Sequence, residues 1–338
     1  MRRSFDLLTS TVGSKLRFNT GQHILTRSST IPKTNLTLYE YEASPWCRLV
    51  REHLNLLGLP VLIKPTPRQT LLTEGAFDKQ SKYRHEAWTL IQQNQQFKEN
   101  KGIFQFPLLL DNTETNENKL IYESSSIISH LWTHYSENVI ENRPSNDSLL
   151  NSNGLPFFLR FPLLSAPSVL RPFPHCGLFQ LPSTFNQNKT HRPLVLKALE
   201  GCPQARLIRE KLSSMCIVYY NVPCGKVGAF QLIDSNKTNI TSTSIMNSKT
   251  EKEEDEEAKY EKAGVLCTTL DSVFKHLDTE YSSTSSSSSL TSTLKLYGNK
   301  MNEEDNLGRS GWFGDAARNA MTKGTDYFVH PDIGQIDK

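Results

Sequence analysis

Two short stretches put groups suited to thiol chemistry at the start of a helix, Ser44-Pro45-Trp46-Cys47 and Cys202-Pro203-Gln204-Ala205. A proline in the first helical turn gives up no hydrogen bond, because the N–H it lacks would have no partner there, and the residue before it falls at the N-cap. The free N–H groups and the positive end of the helix dipole at that point lower a thiol pKa and favour the nucleophilic thiolate. Cys202 is therefore the best-placed nucleophile of the chain. Ser44 holds the same position in the first stretch, and Cys47, one turn into the helix, is a secondary redox candidate.

The two stretches belong to an internal repeat. At an offset of 158, Leu36–Leu54 aligns with Leu194–Leu212, and 9 of the 19 positions are identical. Each copy reads as an apolar strand, a turn with proline and an amphipathic helix. Arg48, Arg51 and Glu52 recur as Arg206, Arg209 and Glu210, a pattern that reads as ion pairs on a helix surface. Downstream of the first copy, Pro60–Ile63 predicts a second strand, Glu86–Gln95 a helix, and Phe106–Leu110 a third strand. Leu120–Tyr122 predicts a fourth strand, and Ser124 can cap a helix carrying Ile127, Ile128, Leu131, Trp132 and Tyr135 on its apolar face. In the second copy only Val222–Ala229 separates the second strand from Phe230–Asp234, so the middle helix is expected to be missing.

The run strand-[Ser/Cys]-Pro-x-[Cys/Ala]-Arg-x-x-Arg-Glu, followed by Gln105-Phe106-Pro107 and Tyr122-Glu123-Ser124-Ser125, resembles the thioredoxin-like N-terminal domain of glutathione S-transferases and glutaredoxins. More narrowly, the chain is similar to a group that joins two such domains in tandem and lacks the helical C-terminal domain. The resemblance implies an α/β fold of two thioredoxin-like (βαβ-α-ββα) modules, the second degenerate; by composition, the low-complexity insertions are expected to be disordered. It implies glutathione as bound cosubstrate and no metal. Phe106 and a cis Pro107 would meet its cysteinyl part, Glu123 and Ser124 its γ-glutamyl end, and Ser44 its sulfur. The family's tandem members generally have a cysteine where this chain has Ser44, so dithiol cycling is not expected in the first module. In the second, Phe230 replaces the proline and Thr268-Thr269 stand in place of Glu-Ser. The function implied is glutathione binding, with glutathione transfer or thiol-disulfide exchange on an unknown electrophile or disulfide. The alternative is a non-catalytic interaction scaffold that binds protein partners.

Composition narrows the field further. With 38 basic and 35 acidic residues, a net charge of +3 gives no phosphate-binding surface and argues against nucleic acid. The longest apolar stretch, 155–173, is broken by Arg160, Arg171 and four prolines, so no transmembrane segment is expected. That connector is expected to pack across the modules rather than lie on a membrane surface. Six cysteines without paired short spacings fit a reducing intracellular compartment, plastid or cytoplasm, and no histidine spacing suits a metal. The expected divisions are a basic arm 1–33, either a transit segment or part of the mature chain, a first module 34–140 and a connector 141–191. A second module, 192–281, carries an acidic insertion at 248–263, and a Ser/Thr-rich tail with a short helix fills 282–338.

Overall fold

The computed structural model describes residues 2–17, 20–25, 36–67, 82–93, 106–112, 119–136, 143–144, 165, 168, 170–171, 177, 192–225, 228–236 and 265–281. The acidic insertion, the Ser/Thr-rich tail and nearly all of the connector lie outside them. After helix α1 (Arg2–Leu16), the first half runs β1 (Leu36–Glu40), α2 (Pro45–Leu56), β2 (Val61–Pro65), α3 (Lys82–Gln93), β3 (Leu108–Asp111), β4 (Lys119–Tyr122) and α4 (Ser124–Tyr135). The second runs β5 (Leu194–Ala198), α5 (Pro203–Ser214), β6 (Tyr219–Val222), β7 (Phe230–Asp234), β8 (Val265–Cys267) and α6 (Leu270–Tyr281). The fold is thioredoxin-like α/β. Strand β3 begins at Leu108 rather than Phe106, since Pro107 has no N–H to give the ladder. Helix α3 starts at Lys82, four residues earlier than its pattern suggests, and buries Arg84, Ala87 and Ile91 at helical spacing.

All eight strands form one sheet in the order β4-β3-β1-β2-β6-β5-β7-β8. Each half has a parallel pair (β1 with β2, β5 with β6) flanked by antiparallel strands, and the halves meet where β2 pairs antiparallel with β6. Thr37 lies opposite Leu62 as Val195 lies opposite Tyr220, so Leu62 and Tyr220 are equivalent positions, and they pair with each other at the junction. A surface that pairs with its own equivalent is the isologous arrangement of a two-fold dimer. Neither strand is left as an open edge there. A single apolar cluster spans the join, from Leu38, Val50, Ile63 and Trp132 to Leu196, Ile208, Tyr219 and Leu277. No helix among the described residues is long and apolar enough to cross a membrane.

Each half also carries the same polar lock under its last helix. Asp111 Oδ2 accepts hydrogen bonds from Tyr135 at 2.7 Å and shares a proton with His130 Nε2 at 2.7 Å; Asp234 Oδ2 does the same with Tyr281 at 2.7 Å and His276 Nε2 at 2.8 Å. Burial works against ionisation of Asp234, but hydrogen bonds from His276, Tyr281 and Asn236 outweigh it and hold its carboxyl at about 2. A depressed carboxyl adds stability above its unfolded pKa, and that stability disappears as pH falls through about 2. Asp234→Ala, which removes this acceptor from both side chains, is expected to cost about 2 kcal/mol in urea unfolding at pH 7. A loss below about 0.5 kcal/mol would show that the lock is not a stabilising element.

Helix α1 packs on α5, the helix of the opposite half. Ser10 Oγ donates to the Pro203 carbonyl at 2.9 Å, and Arg17, buried, forks onto Glu52 at 2.6 and 3.3 Å. The connector repeats the motif: Ser14-Lys15-Leu16-Arg17 matches Ser168-Val169-Leu170-Arg171, and Arg171 forks onto Glu210, the equivalent of Glu52, at 2.8 and 2.9 Å. Each half is thus introduced by a Ser-x-Leu-Arg segment pinned to its own helix α2 or α5.

Candidate functional site

The strand registers bring the first-half candidates to one end of the sheet. Tyr39 of β1 lies opposite Leu108, and Leu108 lies opposite Tyr122. Pro107, Glu123 and the loop from β1 to Ser44 therefore sit side by side across three adjacent strands. The Phe106–Pro107 peptide bond is cis. Glu123 has φ 71 and ψ 127, a sparsely populated backbone conformation for a residue with a Cβ, of a kind that costs about 1–3 kcal/mol and concentrates at binding sites. Glu123 and Ser124 are half-buried and stand at the N-terminus of α4.

The side chains expected to act on sulfur are shut away. Ser44 is 1 % exposed and its Oγ accepts from the Cys47 N–H at 3.3 Å, the N-cap role of its position. Cys47 is 0 % exposed; burial, with Glu40 beside it, pushes its thiol up to about 12 against hydrogen bonds to Ser44 and Tyr41. It packs with Tyr41 and Phe106, whose rings meet edge to face at 6.4 Å under the Arg84 guanidinium, 5.0 Å from the Phe106 ring. Cys202 is also 0 % exposed. The arm closes over its loop: Gly201 N–H donates to the Gly21 carbonyl at 2.9 Å, and a Cβ on Gly21, where φ is +80, would come within 2.9 Å of Glu200. Cys202 does stand at the N-cap of α5, but its side chain is buried there. Burial of this kind had no signal in the sequence, because the covering arm lies some 190 residues away in the chain.

The recurring arginines and glutamates are not on a helix surface. They are buried at the junction of the halves, where Arg51 meets Glu40, Glu42 (2.8 Å) and Glu200 (3.1 Å), and Arg209 meets Glu42 (3.2 Å) and Glu200 (3.3 Å). Glu42 and Glu200 are equivalent positions of the repeat, so each helix sends its arginine across to the other half's loop. The network is reciprocal because the two faces that meet are copies of one face. Glu42, Arg48, Arg51 and Glu52 recur at the same positions of the second copy, whereas Ala198 stands where the first copy has Glu40, and the recurrence by itself reads as a surface pattern.

In the second half the register makes Phe230 the equivalent of Pro107, as expected, but it makes Thr269 and Leu270 the equivalents of Glu123 and Ser124, one residue on from Thr268-Thr269. Thr269 caps α6 reciprocally with Ser272. Leu270 offers no hydroxyl. Strands β6 and β7 are joined without a middle helix among the described residues. No group of three or more His, Cys, Asp or Glu among the described residues could hold a metal ion.

Residues 38–139 match the family model of the glutathione S-transferase N-terminal domain. No curated protein and no solved structure matches the chain. The similarity covers the first half from within β1 to just beyond α4, and it includes Ser44, Pro107, Glu123 and Ser124.

Proposed function

We propose that the protein binds glutathione through its first half and carries out no thiol chemistry on it. The observation that carries this reading is a contrast at one end of the sheet. Glu123 and Ser124 are half-exposed at a helix N-terminus, whereas Ser44, Cys47 and Cys202 are buried. The first N–H groups of α4 and the Ser124 hydroxyl would take the γ-glutamyl carboxylate, and Glu123 the α-amino group. Phe106 and Pro107 would meet the cysteinyl part, and the glutathione sulfur would find no group able to lower its pKa. The second half, a degenerate relative of the first with Phe230 and Leu270 at the matching positions, serves as a structural partner.

Calorimetry with glutathione on the full chain tests this directly. Glu123→Gln and Ser124→Ala are each expected to weaken binding about tenfold, a loss of about 1.4 kcal/mol, while Cys202→Ser leaves it unchanged. Native Cys47 and Cys202 are expected to resist iodoacetamide, and thiol-transfer activity to be absent. Transfer activity that vanishes in Cys202→Ser would replace this reading with a thiol transferase. A second reading, an interaction scaffold, is favoured by the solvent face of α1. There Phe5 and Leu8 are more than half exposed and Val12 and Leu16 continue the stripe at helical spacing, while the small and polar residues Ser10, Gly13 and Ser14 face the fold. Wild-type protein that fails to bind glutathione in the same experiment would decide for it.

A further inference from the structure

The junction of the halves holds a partly open cavity of about 20 Å³, room for one small species. Four guanidinium groups line it (Arg17, Arg48, Arg206 and Arg209) against two carboxylates, Glu52 and Glu200. Both carboxylates are committed elsewhere. Glu52 receives Arg17 and, at 2.8 Å, the Thr20 hydroxyl, and Glu200 receives Arg51 and Arg209. Two of the arginines keep donors in reserve. Arg48 Nη2 has no hydrogen-bond partner among the described residues, and its ion pair, with Glu42 Oε1, is at 3.8 Å. Arg209 Nη1 likewise has none, although Arg209 is fully buried. A buried cation with an unused donor carries a large desolvation cost that a neutral species relieves only in part. Ser14 also lines the cavity and adds a hydroxyl.

We propose that this cavity is a binding site for a single small monovalent anion of the halide class, held by Arg48 and Arg209 between the two halves. Arg206 is matched by Glu210 at 3.2 Å, so it is the spare donors of the buried Arg48 and Arg209 that favour an anion over water, and space on the scale of one water-sized species suits a halide better than a four-oxygen anion such as sulfate or phosphate. Burial and the neighbouring Arg206 together depress the Arg48 pKa to about 9, a cost that an adjacent anion would relieve. The anion would act as a structural pin for the junction, and the proposal stands apart from the glutathione reading because no residue is shared with that site.

The test is thermal unfolding of the full chain at constant ionic strength, with sodium gluconate replaced stepwise by chloride or bromide. A ligand that binds only the folded state raises Tm along a saturating curve, by about 3 °C at tenfold excess over half-saturation. Chloride and bromide are expected to give that curve. Sulfate is expected to give only the linear, unsaturated trend of an excluded salt. Arg48→Gln should abolish the saturating increment. Where that variant does not fold, bromide diffusion into wild-type crystals should give an anomalous peak between Arg48 and Arg209. Linear trends alike for all anions, or bromide at the protein surface only, would overturn the proposal in favour of a bound water.

Discussion

Arg51→Ala is expected to cost about 3–5 kcal/mol of unfolding free energy, a large share of the stability of a protein of this size. Arg51 is 0 % exposed and is the shared counter-charge of Glu40, Glu42 and Glu200, two from its own half and one from the other. Its removal leaves three buried carboxylates with less than their balancing charge, and the polar cavity it creates cannot be filled by apolar neighbours. Lysine should rescue little. An ammonium is a compact charge on a flexible stem and cannot present the planar fork that Nε, Nη1 and Nη2 direct at three separate acceptors. Arg209→Ala should have a similar cost, and the double variant should lose less than the sum, because both arginines serve Glu42 and Glu200. Guanidinium denaturation of the three variants checks this. A loss under about 1 kcal/mol for Arg51→Ala would mean the network behaves as a hydrated surface cluster.

The same network marks how far sequence reasoning reaches. Strand and helix order in both halves follows from patterning, and the caps follow from Pro45 and Pro203, since local periodicity and the special backbone of proline are short-range properties. Residues 230–234 form a strand as read, whereas the cap expected at Ser124 falls one residue earlier, at Glu123, and Ser124 is the first residue of α4. Charges at helical spacing, by contrast, look the same on a solvated face and on a face that meets its own copy. The retention of Arg48, Arg51 and Glu52 in the second copy fits both cases, which is why it reads as a helix-surface pattern. The Asp111–His130–Tyr135 and Asp234–His276–Tyr281 locks were legible in principle, because the His-x-x-x-x-Tyr spacing occurs in both last helices. Their acceptors lie 19 and 42 residues before the histidines, a separation set by the intervening loops rather than by any period. The candidate-site residues are of a third kind. Their positions along the strands were readable, while the exposure of Glu123 and Ser124 and the burial of Ser44 and Cys202 depend on how the arm and the second half close over the first.

Stability is expected to fall as pH rises from about 5 to about 8, opposite to the usual behaviour of a carboxylate-bearing fold. Burial, with Glu42 and Glu200 close by, pushes Glu40 up to about 7 against the attraction of Arg51. Glu42, although equally buried, is drawn down to about 2 by Arg51, Arg209, Arg48 and Arg206. The two carboxyls therefore act in different windows. Glu42 adds stability above its unfolded pKa of about 4.5 and loses it as pH falls through about 2. Glu40 has a folded pKa above its unfolded one, so between about 4.5 and 7 the folded state binds more protons than the unfolded state, and raising pH through that window removes stability. A shift of this size amounts to roughly 3 kcal/mol between the two plateaus. Urea midpoints measured from pH 4 to 9 should show a maximum near pH 5, and Glu40→Gln, neutral at every pH and still able to accept from Arg51, should flatten the decline. A decline that persists in Glu40→Gln would assign it to another group and leave Glu40 ionised in the folded protein at pH 7, with Arg51 prevailing over burial.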